Sequence, residues 1–180
     1  IAAAPFFDFV NGFHDSANSI ATVVGTRVLR PLYAVIIAAI ANFAGPFIFG
    51  TAVAATVGKG IIQPSFSTVD VIFAGLIGAI IWDLITWYFG LPSSSSHALI
   101  GGLIGSALLA GGTSALVFSG IEKTLTFIVV SPTLGFVSAF GIALIVMYFF
   151  RNHTSSHVNK IFGRLQICSS IFFSLTHGAN

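Results

Sequence analysis

The stretch WDLITWYFGLPSSSSHALIGGLIG, residues 82–105, decides the fold. Gly90 and Pro92 interrupt the helical pattern between two apolar runs, since proline cannot continue a helix. Four consecutive serines follow at 93–96, and serine is a preferred residue at the start of a helix. An uncharged serine turn between two apolar spans is unusual for a loop in water. We therefore predict a broken or re-entrant helix inside a membrane protein.

The composition also indicates a membrane protein. Hydrophobic residues make up 56% of the chain and charged residues 7%, and the mean hydropathy is +1.00. A soluble domain carries about 25% charged residues, so this chain cannot cover itself with a surface that faces water. The net charge of +2 gives no reason to expect nucleic acid binding. The single cysteine, Cys168, allows no internal disulfide, and we predict no cofactor and no metal site.

Apolar runs of about 20 residues, the length that spans a bilayer, recur between polar connectors. The predicted fold is an all-α, polytopic transmembrane helical bundle. The predicted spans are 1–25, 32–57, 69–90, 97–112 and 124–150, with a sixth beginning near 161.

The basic residues fall into two groups if each span crosses once. One side receives Arg27, Arg30, Arg151, Lys160 and Arg164, and the other receives Lys59 and Lys123. Because basic residues concentrate in cytoplasmic connectors, the first side is predicted to be cytoplasmic.

The first span carries a polar stripe in FDFVNGFHDSANSIAT, residues 7–22. Its members are spaced by three and four residues and share one helix face: Asp8, Asn11, Asp15, Asn18 and Thr22. A carboxylate at the bilayer centre costs about 2.5–3.5 kcal/mol, so we expect the stripe to face a polar cavity. Gly12 suggests a close backbone approach or unwinding, which predicts an irregularity near 11–18. His14 lies off the stripe, and packing and function are equally open for it.

The serine turn is a candidate anion site. A helix that begins there presents free N–H groups and the positive end of its dipole. An ordinary polar loop with a helix cap is the alternative. His97 and Asp83 each have a structural and a functional interpretation, whereas Asn42 is better explained as a hydrogen bond between helices. Gly101/Gly105 and Gly102/Ser106 are predicted to be helix-packing pairs.

Three motifs resemble the PiT family of inorganic phosphate transporters. They are NGFHDSAN at 11–18, GLPSSSSH at 90–97 and THGAN at 176–180, the last resembling a second copy of the first. His14 and Asn42 resemble the bacterial low-affinity branch, which is associated with proton coupling and metal-phosphate uptake. Sodium coupling is therefore left open.

The resemblance implies two inverted repeats, of which this chain holds the first and the start of the second. Residues 1–150 would form the first transmembrane repeat, 151–160 a cytoplasmic connector, and 161–180 the beginning of the second repeat. We expect the chain to be the N-terminal half of a longer, multi-pass protein of the bacterial inner membrane. Whether it forms a homo-oligomer is open.

The implied function is secondary active transport of phosphate, coupled to a proton or a sodium ion. The predicted phosphate ligands are Asn18, Ser94, Ser95, Ser96, His97 and Asn180. The predicted cation-coupling residues are Asp15, Asp8 and Asp83. No Lys or Arg lies in mid-span, so hydroxyls and a helix N-terminus would hold the anion, and Asp15, Asn18 and the serines should meet in one pocket.

Two alternatives belong to other classes of protein. The serine turn could be the re-entrant filter of an anion channel. A membrane assembly subunit would leave the aspartate stripe unexplained. An enzyme is not predicted, because no nucleophile, base and orienting group occur together.

Overall fold

A computed structural model describes residues 2–50 and 60–179 of the chain. Asn180, one of the predicted phosphate ligands, lies outside these residues, as does Lys59. The described residues form the helices α1 (Ala3–Gly25), α2 (Pro31–Phe49), α3 (Val69–Tyr88), α4 (Ser95–Gly111), α5 (Phe118–Phe150) and α6 (Ser155–Gly178). They contain no strand, only one antiparallel bridge between Ile62 and Leu116. The predicted all-α fold is confirmed.

Four of these helices are long and apolar enough to cross a membrane: α2, α3, α5, and α4 together with the short 3₁₀ turn that extends it to Ala115. Large apolar side chains are exposed along them, including Phe47 at 78% and Leu109 at 92%. Such surfaces are stable against lipid rather than water. The two other helices, α1 and α6, carry the NGFHDSAN motif and the start of the THGAN motif.

Two helices begin earlier than predicted. Helix α5 starts at Phe118 and α6 at Ser155, each six residues before the predicted span. Hydropathy detects only the apolar part of a helix, and both starts are polar. Helix α5 is therefore 33 residues long, about 50 Å at 1.5 Å per residue, and exceeds the apolar core of a bilayer. The predicted end of the second span at 57 falls outside the described residues.

The irregularity predicted near 11–18 is wrong. Helix α1 runs without interruption from Ala3 to Gly25. A Cβ atom added to Gly12 would meet no other part of the described chain within 4 Å. Side chains of neighbouring helices contact Asn11, His14 and Asp15, so the α1 backbone does not have to unwind to provide polar groups there.

The break predicted at the serine turn is confirmed. Helix α3 ends at Tyr88, and Leu91 N–H donates back to the Thr86 carbonyl over 2.8 Å. Gly90 has a φ of +63°, which favours glycine because it has no Cβ. Helix α4 starts at Ser95, and the Ser94 hydroxyl caps it by accepting from His97 N–H over 3.4 Å.

Helices α3 and α4 form an antiparallel hairpin with direct backbone contact. A Cβ atom on Gly102 of α4 would collide with the Gly75 carbonyl of α3. Small residues allow this approach in membrane helices. The packing role predicted for Gly102 is confirmed, whereas a Cβ atom added to Gly101 or Gly105 would meet no other part of the described chain within 4 Å.

The turn of this hairpin lies beside the middle of α1. Phe7 and Val10 of α1 pack against Ala79 and Ile80 of α3, and His14 contacts Thr86, so the two helices run parallel. Beyond this level α1 continues to Gly25, roughly 15 Å further. The hairpin is thus re-entrant relative to α1. Irregular backbone at such depth is stable only where protein or a water-filled cavity surrounds it.

Helix α6 runs antiparallel to α1. Thr26 donates to Gln166 over 2.7 Å, Ser170 donates to the Ser19 carbonyl over 2.6 Å, and His177 reaches Asp15. The start of α6, with Lys160 and Arg164, therefore lies at the same end of the bundle as Arg27 and Arg30, as the charge grouping predicted.

The close hairpin contact gives a stability prediction. Gly102→Ala should lower the free energy of unfolding by about 1–3 kcal/mol, because the new methyl group overpacks the Gly75 backbone. Gly101→Ala is the matched control and should be neutral or stabilising by up to about 1 kcal/mol. Thermal unfolding in detergent measures both, and equal effects would contradict the packing described here.

Candidate functional site

Asp15 lies near the midpoint of α1 and is contacted from three helices. His14 Nδ1, on α1 itself, lies 2.9 Å from Asp15 Oδ1. The Ser95 hydroxyl of α4 donates to Asp15 Oδ2 over 2.6 Å. His177 Nε2 of α6 lies 3.5 Å from the same oxygen. The Asp15 side chain is only 11% exposed, so protein donors replace most of its hydration.

His14 joins α1 to α3. Its Nδ1 faces a carboxylate, which only accepts, so Nδ1 carries a proton. Its Nε2 lies 3.3 Å from the Thr86 hydroxyl, which itself donates to the Trp82 carbonyl over 3.0 Å. These two contacts connect Asp15 to the end of α3.

Ser95 joins α4 to α1. It is 1% exposed, and its Oγ lies 2.7 Å from Asn11 Oδ1 as well as close to Asp15. Its single proton goes to one oxygen at a time, and the charged carboxylate is the stronger acceptor. The first turn of α4, which is the positive end of its dipole, thus lies beside Asp15.

His177 joins the start of the second motif copy to this network. Its Nδ1 lies 2.8 Å from Asn42 Oδ1 of α2. Asn42 therefore makes the hydrogen bond between helices that its position predicted. Through His177 the α2–α6 pair and Asp15 form one connected polar cluster.

A cavity of about 630 Å³ opens beside Asp15. It is lined by residues of α1, of the end of α3 and of the segment that connects α3 to α4, including His14, Asp15, Asn18, Thr86, Ser93 and Ser94. No Lys or Arg is among its described lining residues. An anion here would be held by hydroxyls, amides and the start of α4.

The predicted phosphate ligands fall into three sets. Asn18 and Ser94 line the cavity, and Ser95 is bound to Asp15 beside it. Ser96 is exposed and does not line the cavity. His97 lines two neighbouring cavities, of about 490 and 420 Å³, rather than the one beside Asp15. Which of them binds phosphate stays a prediction.

The other predicted cation-coupling residues differ from Asp15. Asp8 is exposed on α1, about two helical turns before Asp15. Asp83 on α3 is 0% exposed, and in the described chain neither of its carboxylate oxygens has a hydrogen-bond partner. No group of three or more His, Cys, Asp or Glu side chains in residues 2–50 and 60–179 is arranged to hold a metal ion.

Thr86, Ser93 and His177 were missed as site residues by sequence reasoning. Thr86 sits one turn after Asp83 as a lone polar residue on an apolar helix, and this could have marked it. Ser93 accepts from Trp82 Nε1 over 3.3 Å, and this contact depends on the hairpin. His177 could only be placed once α6 was known to pack against α1.

Known proteins identify the class to which this fold and cluster belong. Residues 11–157 match the phosphate transporter family. The whole chain is 54% identical to the probable low-affinity inorganic phosphate transporter of Rhizobium meliloti (strain 1021), of which it covers 54%. It is 45% identical to the protein of the same name from Bacillus subtilis (strain 168), again covering 54%. The chain spans about half the length of these curated relatives, and it belongs to the phosphate transporter family.

A solved structure titled the sodium-dependent phosphate transporter has the same fold. It superimposes with a TM-score of 0.76 over 97% of this chain and 54% of its own, at 24% identity. The low-affinity inorganic phosphate transporter PitA of Escherichia coli (strain K12) is 36% identical, with 42% of it covered. The predicted family resemblance and the integral membrane location are confirmed, and the family is one of transporters rather than enzymes.

The contacts of Ser95 give a second prediction. Ser95→Ala should destabilise the protein by about 1–3 kcal/mol, because it leaves a buried charged acceptor without its closest donor. Ser96→Ala, one residue away and exposed, should change stability by less than about 0.5 kcal/mol. Chemical denaturation in detergent measures the difference. If Ser95→Ala were as neutral as Ser96→Ala, the cluster would not hold the α4 start against α1.

Proposed function

We propose that the protein moves inorganic phosphate across the membrane as a secondary active transporter coupled to a cation. One observation carries this proposal: Asp15 is held by donors from three helices at the edge of a cavity that the serine turn also lines. Membership in the phosphate transporter family supports phosphate as the substrate.

Phosphate binds, in this proposal, between the serine turn and Asn18. Ser93 and Ser94 line the cavity, and the first turn of α4 follows them directly. A helix N-terminus binds anions without any cationic side chain. This fits a cavity whose described lining contains no Lys or Arg.

Asp15 makes the binding of phosphate depend on a cation. A bare carboxylate beside a phosphate dianion repels it, and this repulsion is strong at low dielectric. A proton or sodium ion at the site cancels the charge and allows the anion to bind. His14 and Asn42, which resemble the bacterial low-affinity branch, favour a proton as the coupling ion. A role for Asp8, which is exposed, stays a prediction.

Alternating access would follow from the two motif copies. His177, from the start of the second copy, lies 3.5 Å from the aspartate of the first, which supports a site enclosed by both copies. Rocking of one repeat against the other would then expose this site to each side in turn.

Asp15→Asn tests the proposal. Asn keeps the size of the side chain but not its charge, so gradient-driven uptake of radiolabelled phosphate into proteoliposomes should fall by at least about 100-fold, or about 2.7 kcal/mol. Asp70→Asn, on the exposed start of α3, is the matched control and should transport normally. Near-normal concentrative uptake by Asp15→Asn at equal protein abundance would remove Asp15 from the mechanism.

A further inference from the structure

Asp83 is a buried carboxyl group that the phosphate site does not use. It is 0% exposed on α3, and both of its oxygens lack a hydrogen-bond partner in the described chain. Buried polar groups in proteins almost always have partners, so an exception requires an explanation. An ionised carboxylate without partners would be very costly at this depth.

The charged groups around Asp83 cannot balance it. Helix α1 brings Asp15 and also His14, which contacts Thr86 one helical turn beyond Asp83. Helix α4 brings His97, which is exposed on the side of the neighbouring cavities. The imidazole of His14 is already 2.9 Å from Asp15. Two carboxyl groups therefore share one nearby imidazole.

We propose that Asp83 carries the co-transported proton, while Asp15 remains the fixed anion of the site. The inference rests on the proposed transport function and divides the coupling role between two residues. With a proton on Asp83, the donors of the cluster face one carboxylate rather than two, and phosphate can bind. When Asp83 loses the proton, a second negative charge faces the same imidazole and disfavours the anion.

A proton fits Asp83 better than a metal cation does. Sodium, as a hard cation, needs several oxygen ligands around it. Asp83 has no exposed surface and is not among the residues that line the 630 Å³ cavity. A proton needs no coordination shell, and the neutral carboxyl group that it forms is far cheaper to bury than a carboxylate.

The Asp83→Asn variant distinguishes proton transport by Asp83 from the binding of phosphate. Asn has the same shape and no charge, so the fold should be retained. Phosphate–phosphate exchange at equal pH on both sides, which requires no net proton movement, should stay within about threefold of the wild type. Accumulation driven by a pH gradient should fall to the level seen without a gradient. Asp15→Asn should lose both activities, and Asp70→Asn neither.

Two results for Asp83→Asn would overturn the inference. One is accumulation equal to the wild type under a pH gradient. The other is loss of exchange as complete as in Asp15→Asn, which would make Asp83 part of the binding site. A wild type driven by sodium alone would also overturn it and leave phosphate transport intact, whereas a wild type without phosphate uptake would refute the proposed function instead.

Infrared spectroscopy of the wild type provides a second measurement that does not depend on the variant folding. A buried protonated carboxyl group absorbs apart from carboxylates. We expect this band at neutral pH and expect phosphate translocation to change it. Its absence in the wild type would contradict a proton on Asp83.

Discussion

A carboxylate in the middle of a membrane helix must be surrounded by donors, and the rest of this structure depends on how Asp15 meets that requirement. Lipid offers no donors at this depth, and neighbouring helices provide them. Ser95 from α4 and His177 from α6 approach Asp15 Oδ2, and His14 approaches Oδ1. These contacts place α4 and α6 next to α1 at the level of Asp15.

The same requirement explains why α3 and α4 are separated by a turn. A continuous helix would carry Ser95 away from Asp15 and leave no free N–H groups at that depth. Gly90 and Pro92 end α3 where it has just brought Thr86 to His14. The chain then reverses, and α4 begins with its positive end beside the carboxylate. The close contact of Gly75 and Gly102 holds the hairpin together without bulky side chains.

Much of this organisation could be predicted from the sequence because bilayer physics leaves few options. Apolar length predicted the helices, and the serine turn predicted the break, since proline and serine act through the local backbone. The unwinding predicted at Gly12 was wrong. A polar stripe shows that its side chains need hydrogen-bond partners, but not whether unwound backbone or the side chains of other helices provide them. Contacts such as His14–Thr86 and Asn42–His177 join residues 72 and 135 positions apart, and local patterns contain no information about them. The burial of Asp83 likewise depends on how α1 and α4 pack around α3.

The central claim is that the Asp15 cluster couples phosphate to a cation rather than letting it diffuse through an open path. Phosphate accumulation by the wild-type protein in proteoliposomes, before and after an ionophore collapses the cation gradient, tests this claim most directly. We expect accumulation above equilibrium while the gradient lasts and release of the excess when it collapses. Uptake that only equilibrates phosphate, and that the ionophore does not change, would indicate a channel and contradict the account.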